Sequence, residues 1–163
     1  MPLWLVVAVV YENVRQYQAN RELQSIVQNV RQLEMRISSF SDSLGTDITA
    51  TLDNQTAFPV EMRVSEATAN GNLNHPWSSS GNTVHLLVEG ATSFGIKFTS
   101  VPKKSCITLA TKLSSGELQG LTSMEVGGTT VAIANLPINV VQAAGMCTSS
   151  NANTVKWVFN LRG

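Results

Sequence analysis

Cys106 and Cys147 are the residues whose chemistry is read most directly from this sequence, because they are its two thiols. They share no CxxC spacing, no histidine cluster stands beside them, and there is no third thiol, so neither a zinc site nor a redox dithiol is indicated. One long-range disulfide is the economical reading and implies an oxidising compartment; two separate buried thiols are the alternative. The cysteines lie 41 positions apart, and closing such a loop stabilises a fold by about 4 kcal/mol through its unfolded state. The other chemistry-bearing residues make no constellation. His75 sits in a Pro/Ser loop and His85 opens a strand, without the HxxxH or HExxH spacing of a helical metal site. No GxSxG elbow and no GxxxxGK[ST] phosphate loop occurs. Asp42, Asp47 and Asp53 are spaced like loop decoration and lack the alternating ligands and closing Glu of a calcium hand. No catalytic residue, metal ligand or cofactor site is assigned, and an enzyme is not expected.

The elements that must position the cysteines begin with a helix. From Glu12 to about Ser38 the sequence has no Pro or Gly, and Leu23, Ile26, Val30, Leu33 and Ile37 recur at alternating intervals of three and four, which draws one apolar stripe down a helical face. The opposite side carries Gln16, Gln24, Gln28 and Gln32 among scattered arginines. Residues 1–11 are apolar but far short of the ~20 needed to cross a bilayer. They read either as the surviving end of a longer hydrophobic helix or as foreign residues. Residues 39–83 read as a long connecting loop, punctuated by Gly45, Pro59, Asn70-Gly71 and His75-Pro76-Trp77.

Beyond it, residues 84–163 read as sheet with short helices. Val84 to Glu89 and Phe94 to Thr99 suggest an antiparallel hairpin, with Phe94, Ile96 and Phe98 facing the core. Ser105 to Leu113 has helical spacing. Gly127-Gly128 supplies the positive φ of a second hairpin turn, and a second short helix follows Pro137 and stops at Gly145. Thr154 to Leu161 is a strong strand with Val155, Trp157, Phe159 and Leu161 on its buried face. The fold class is therefore α+β: a long N-terminal helix packed on an antiparallel sheet.

Bulk composition narrows the function classes. With 163 residues the chain is one domain in size, and only 13% of it is charged, against roughly 25% for an average soluble domain. Such a surface, built from Ser, Thr, Asn and Gln, suits an exported or assembling protein. Eleven basic and eleven acidic residues cancel, so no field gathers phosphate backbones and nucleic acid is disfavoured as a partner.

The layout of long helix, loop, antiparallel sheet and one C-terminal disulfide loop resembles the type IV pilins. Tyr11-Glu12-Asn13-Val14-Arg15-Gln16-Tyr17-Gln18-Ala19-Asn20-Arg21-Glu22 is similar to the segment where that family's hydrophobic helix emerges into its soluble half. Cys106-Ile107-Thr108-Leu109-Ala110 resembles the helix with the first family cysteine, and Ala143-Ala144-Gly145-Met146-Cys147 with Asn153-Thr154-Val155-Lys156-Trp157 resembles the second cysteine and the final strand. The likeness is to the type IVb class, and within it to the PilS-type subunits of enterobacterial thin pili.

The resemblance implies a type IV pilin fold in which residues 12–163 form the soluble domain, with the helix at 12–38. It implies a subunit that polymerises with its own kind into a bacterial surface fibre for adhesion, cell-cell contact or conjugation. The implied partners are other subunits, a host or recipient cell surface and, before assembly, the inner membrane, periplasm and pilus machinery. On this reading Leu23, Ile26, Val30, Leu33 and Ile37 pack on the sheet, Gln16, Gln24, Gln28 and Gln32 meet neighbouring subunits, and the region between Cys106 and Cys147 decorates the fibre. A minor pilin or pseudopilin, or a freestanding secreted binding domain, is the alternative. The family's membrane-length apolar start, its leader and its helix-start Glu are not seen in the sequence, so this chain is expected to fold without polymerising.

Overall fold

The computed structural model describes residues 3–33, 44–63, 71–78, 81–113 and 118–161. Helix α1 spans Leu3–Gln32, a rod of about 45 Å at 1.5 Å per residue. With no Gly or Pro to break it, it runs unbroken from the apolar start into the polar half. Ala19, Leu23, Ile26, Val27 and Val30 are buried in the core, and Leu33 packs against its edge. Ile37 and the rest of 34–38 lie outside the described residues.

The stretch 39–83, expected as a connecting loop, is more structured than that in its described parts. Helix α2, Thr49–Asp53, and a single 3-10 turn, Val60–Met62, lie within it. Asp47 starts α2 by accepting from the Thr49 backbone N–H at 3.0 Å, an Asx-type local bond that draws the chain away from extended structure. Leu52, Phe58, Met62 and Leu73 are then buried in the core, so the segment is fastened from below. Just before α2, residues 45–48 bond along the first strand: Gly45 N donates to Val88 O, Val88 N to Thr46 O and Ile48 N to Leu86 O. The sheet edge there is covered rather than open.

The sheet comprises β1 (Val84–Gly90), β2 (Ser93–Val101), β3 (Leu121–Val126), β4 (Thr129–Ala132) and β5 (Asn153–Asn160). Its spatial order is β1-β2-β5-β3-β4, antiparallel throughout. The last strand thus lies at the centre. Register aligns core rows across β1, β2, β5 and β3: Val88-Phe94-Phe159-Leu121, Leu86-Ile96-Trp157-Met124 and Val84-Phe98-Val155-Val126. All of these residues are buried. Period-two alternation sends their neighbours to the other face, where Lys156 pairs with Glu89 at 2.7 Å and Glu125 at 3.5 Å. Trp157 anchors the middle row. Its indole N–H donates to Leu113 O at 2.9 Å, and its ring meets Phe98 edge-on at 5.0 Å between centroids.

Helix α3, Lys103–Lys112, starts two residues before the position expected from spacing, because Pro102 fixes the extended entry and its carbonyl accepts from Cys106 N. Between β3 and β4, Gly127 and Gly128 both have positive φ, the requirement of a two-residue hairpin turn matching strand twist. A side chain on Gly127 would also collide with Met146 O. Helix α4, Val140–Met146, opens with a reciprocal capping box between Asn139 and Gln142. Asn139→Ala is expected to cost about 1 kcal/mol in urea unfolding; an unchanged midpoint would show that the cap does not stabilise α4.

Candidate assembly surface

Helix α1 is held by polar contacts at several levels, and these determine which face is left over. Near its start, Arg15 donates to Pro76 O and the Trp77 indole N–H donates to Glu12 at 3.4 Å. The loop making these contacts is pinned by His75, whose ring is buried. One ring nitrogen accepts from Trp77 N at 3.2 Å and the other lies 2.7 Å from Thr99 O, donating to it in the neutral tautomer. Burial lowers the His75 pKa below its ordinary value, and a neutral ring satisfies both partners. His75 is therefore a packing residue.

Midway, Glu22 is 1% exposed. Gln18 donates to one of its oxygens at 3.0 Å, while the other has no partner. Burial raises its pKa from 4.5 to about 7, against the hydrogen bond from Gln18. Asn29 donates to Ala57 O at 3.0 Å. At the far end, Arg31 donates to Asn160 O and Gln119 O, tying the helix to the end of β5.

Opposite this buried side, Val14, Tyr17, Arg21, Gln24, Gln28 and Gln32 are all exposed and recur at intervals of three and four, which places them on one line along the helix. Tyr17 is 68% exposed and Val14 57%. Among the described residues Gln24 bonds only to Asn20 on the same helix, and the Gln28 and Gln32 amides make no hydrogen bond. Beside the line lies a groove of about 490 Å³ between α1 and the sheet's end, lined by Gln24, Val27, Gln28, Arg31, Leu118 and Phe159. Of the four glutamines expected on this face, Gln24, Gln28 and Gln32 share it. Gln16 is half-buried and sits off the line, on the flank nearer the core. Sequence reasoning passed over Val14 and Tyr17, although their spacing to Gln24 and Gln28 carries the signal.

The second surface is the rim enclosed by the disulfide. Cys106 in α3 and Cys147 after α4 are bonded, with Cα atoms 5.9 Å apart. Between Thr129 and Met146 only Ile138 and Ala143 are buried, whereas Val141 is 84% exposed, Val140 63% and Ile133 59%. The rim is thus a thinly anchored, outward-facing ribbon.

The aspartates are not decoration. Asp53 is buried, pairs with Arg63 at 2.8 Å and accepts from Gly71 N at 2.7 Å. Asp47, besides starting α2, meets a His85 ring nitrogen at 2.7 Å; Asp42 lies outside the described residues. Among the described residues no three His, Cys, Asp or Glu side chains are grouped to hold a metal, and no helix is long and apolar enough to cross a membrane.

The sequence profile of the PilS N-terminal family matches residues 13–160. A search of curated protein sequences finds no match. Among solved structures, the chain is similar to the type IV b pilin from Salmonella typhi, with a TM-score of 0.58 and 18% identity over 85% of this chain and 95% of that one. It is also similar to TcpA, a type IV pilin from Vibrio cholerae El Tor biotype, with a TM-score of 0.55 and 14% identity over 88% of this chain and 98% of that one. At these identities the two structures establish the fold.

Proposed function

The chain belongs to the PilS N-terminal family and is a structural subunit of a type IV pilus, and from that premise we propose that it packs into the fibre through the exposed line of α1. The protein is structural rather than catalytic. The observation that carries the proposed contact is the line itself: apolar at Val14 and Tyr17, then amide-bearing at Gln24, Gln28 and Gln32, on the side of the helix turned away from the domain. In an isolated domain those amides are solvated. Against a second subunit they supply both donors and acceptors, and the charge on the line, Arg21, stands 3.5 Å from Glu61, so the face can meet its own kind with little charge repulsion. The stripe Leu23, Ile26, Val30 and Leu33 belongs to the domain's own packing, and residues 12–163 act as the soluble pilin domain.

In this reading the disulfide rim faces outward from the fibre and meets the host or recipient cell in adhesion or conjugation. Its exposed Ile133, Val140 and Val141 support that role. The subunit resides in the inner membrane and periplasm with the assembly machinery before joining the extracellular polymer.

Gln24→Lys with Gln28→Lys, made in the full-length protein of the secreting cell, is expected to lower fibre yield at least about tenfold, since like charges brought together in a desolvated contact cost several kcal/mol. The isolated domain should melt as before, because both positions are exposed. Normal fibre yield would remove α1's glutamine face from the assembly contact.

A further inference from the structure

At the opposite sheet edge from the disulfide rim, a polar cleft of about 420 Å³ is lined by Asp47, Thr49, Gly71, Asn72, Asn82 and His85. It takes no part in the assembly contact on α1 and does not depend on it. Its walls are fixed by internal bonds. Thr49 Oγ1 donates to Asp47 and accepts from Leu86 N, which seats α2 on β1. Asn72 Oδ1 accepts from Asn82 N at 3.0 Å, and the Asn82 carbonyl accepts from His85 at 2.9 Å. Gly71 is tied below by Asp53. A cleft held this way loses little conformational freedom when something enters it.

What the walls leave unused defines the ligand. Among the described residues the Asn82 side-chain amide makes no hydrogen bond, and Asn72 engages only its oxygen. Two amide groups therefore offer N–H donors, and the Asn82 oxygen an acceptor. The Asp47 side chain is 46% exposed, and with two bonds from Thr49 on one oxygen and one from His85 on the other, its carboxylate keeps one lone-pair site free. A carboxylate beside free amides is suited to adjacent hydroxyls, each of which both donates and accepts. The acid disfavours anionic ligands, and among the described lining residues there is no Phe, Tyr or Trp ring to favour flat apolar ones.

We propose that this cleft binds a neutral hydroxyl-rich ligand, a carbohydrate displayed on a cell surface. Asn82 has a φ of 57°, a left-handed conformation that glycine adopts without strain, so Asn82→Gly removes the amide while keeping the backbone.

The test is an NMR titration of the isotope-labelled domain with methyl mannoside, methyl galactoside and N-acetylglucosamine, each at millimolar concentration, with N-acetylneuraminic acid as the anionic comparison. Expected are amide shifts confined to residues 47–50, 71–72 and 82–85 with at least one neutral sugar, weaker shifts with the acid, and binding at least about tenfold weaker in Asn82→Gly at unchanged melting temperature. That loss corresponds to about 1.4 kcal/mol, the size of one or two hydrogen bonds. Absence of shifts with all the neutral sugars, shifts located on α1 instead, or equal binding by Asn82→Gly would overturn the proposal. Fibre yield from cells carrying Asn82→Gly should be normal, so a failed sugar titration leaves the pilus reading standing.

Discussion

Replacing Cys106 and Cys147 together by alanine is expected to lower the unfolding free energy of the oxidised domain by about 4 kcal/mol, the loop-closure contribution of a bond joining residues 41 apart. Alanine is the right replacement because both positions are fully buried, and serine would add unsatisfied hydroxyls. The size of the loss follows from the loop length; where it is felt follows from how little else holds the rim. From Thr129 to Met146 only Ile138 and Ala143 are fully buried, with Val131, Leu136 and Met146 packed against the core's edge, and the Asn139 cap organises α4 without burying it. Urea unfolding measures the total. Amide exchange locates it, with the largest acceleration expected over residues 129–146 and the least in β2 and β5, whose rows hold Trp157 and the phenylalanines. A loss below about 1 kcal/mol would mean that the rim is held by its own packing.

Glu22→Gln is expected to act in the opposite direction, stabilising the domain by about 3 kcal/mol at pH 8 and by almost nothing at pH 4. The group's folded pKa is raised from 4.5 to about 7 by burial, so the folded state binds the proton more tightly than the unfolded state does. Below 4.5 the acid is neutral in both states and costs nothing. As pH rises from 4.5 through about 7 the folded protein must ionise a buried carboxyl with an unpartnered oxygen, and across that window stability falls by about 1.4 kcal/mol for every step of one in pH. Glutamine keeps an oxygen to accept from Gln18 and carries no charge. His75 runs the other way: its folded pKa is depressed, so its contribution is lost as pH falls below its ordinary ~6.5. The difference between wild type and Glu22→Gln cancels His75 and isolates the carboxyl. A difference independent of pH would show that Glu22 is not ionising in its buried place.

Local periodicity carried much of the fold. The alternation of Val155, Trp157 and Phe159 marks the buried face of β5 without any knowledge of its neighbours, and the three-four spacing of Leu23, Ile26 and Val30 marks α1 in the same way. The two cysteines named their own bond. Strand order was not legible, because nothing local says that the last strand inserts between β2 and β3; that is settled by matching whole core rows across residues far apart in the chain. The connecting segment hid its structure for the same reason. Asp53 looks like a loop residue until Arg63 and Gly71 arrive to meet it, and Asp47 until Thr49 and His85 do. On the proposed assembly face, glutamines stood out by composition, whereas Val14 and Tyr17 were overlooked because exposed apolar residues on a helix look like core. Gln16 shows the converse, a polar residue drawn toward the buried flank.

On the proposed reading the subunit is repeated along a surface fibre. Electron microscopy of fibres shed by the secreting cell, labelled with gold-tagged antibody raised against the domain, tests that repetition most directly. Label at regular density along the whole length of each fibre is the predicted result. Fibres that remain unlabelled, or that carry gold only at their tips, would contradict it.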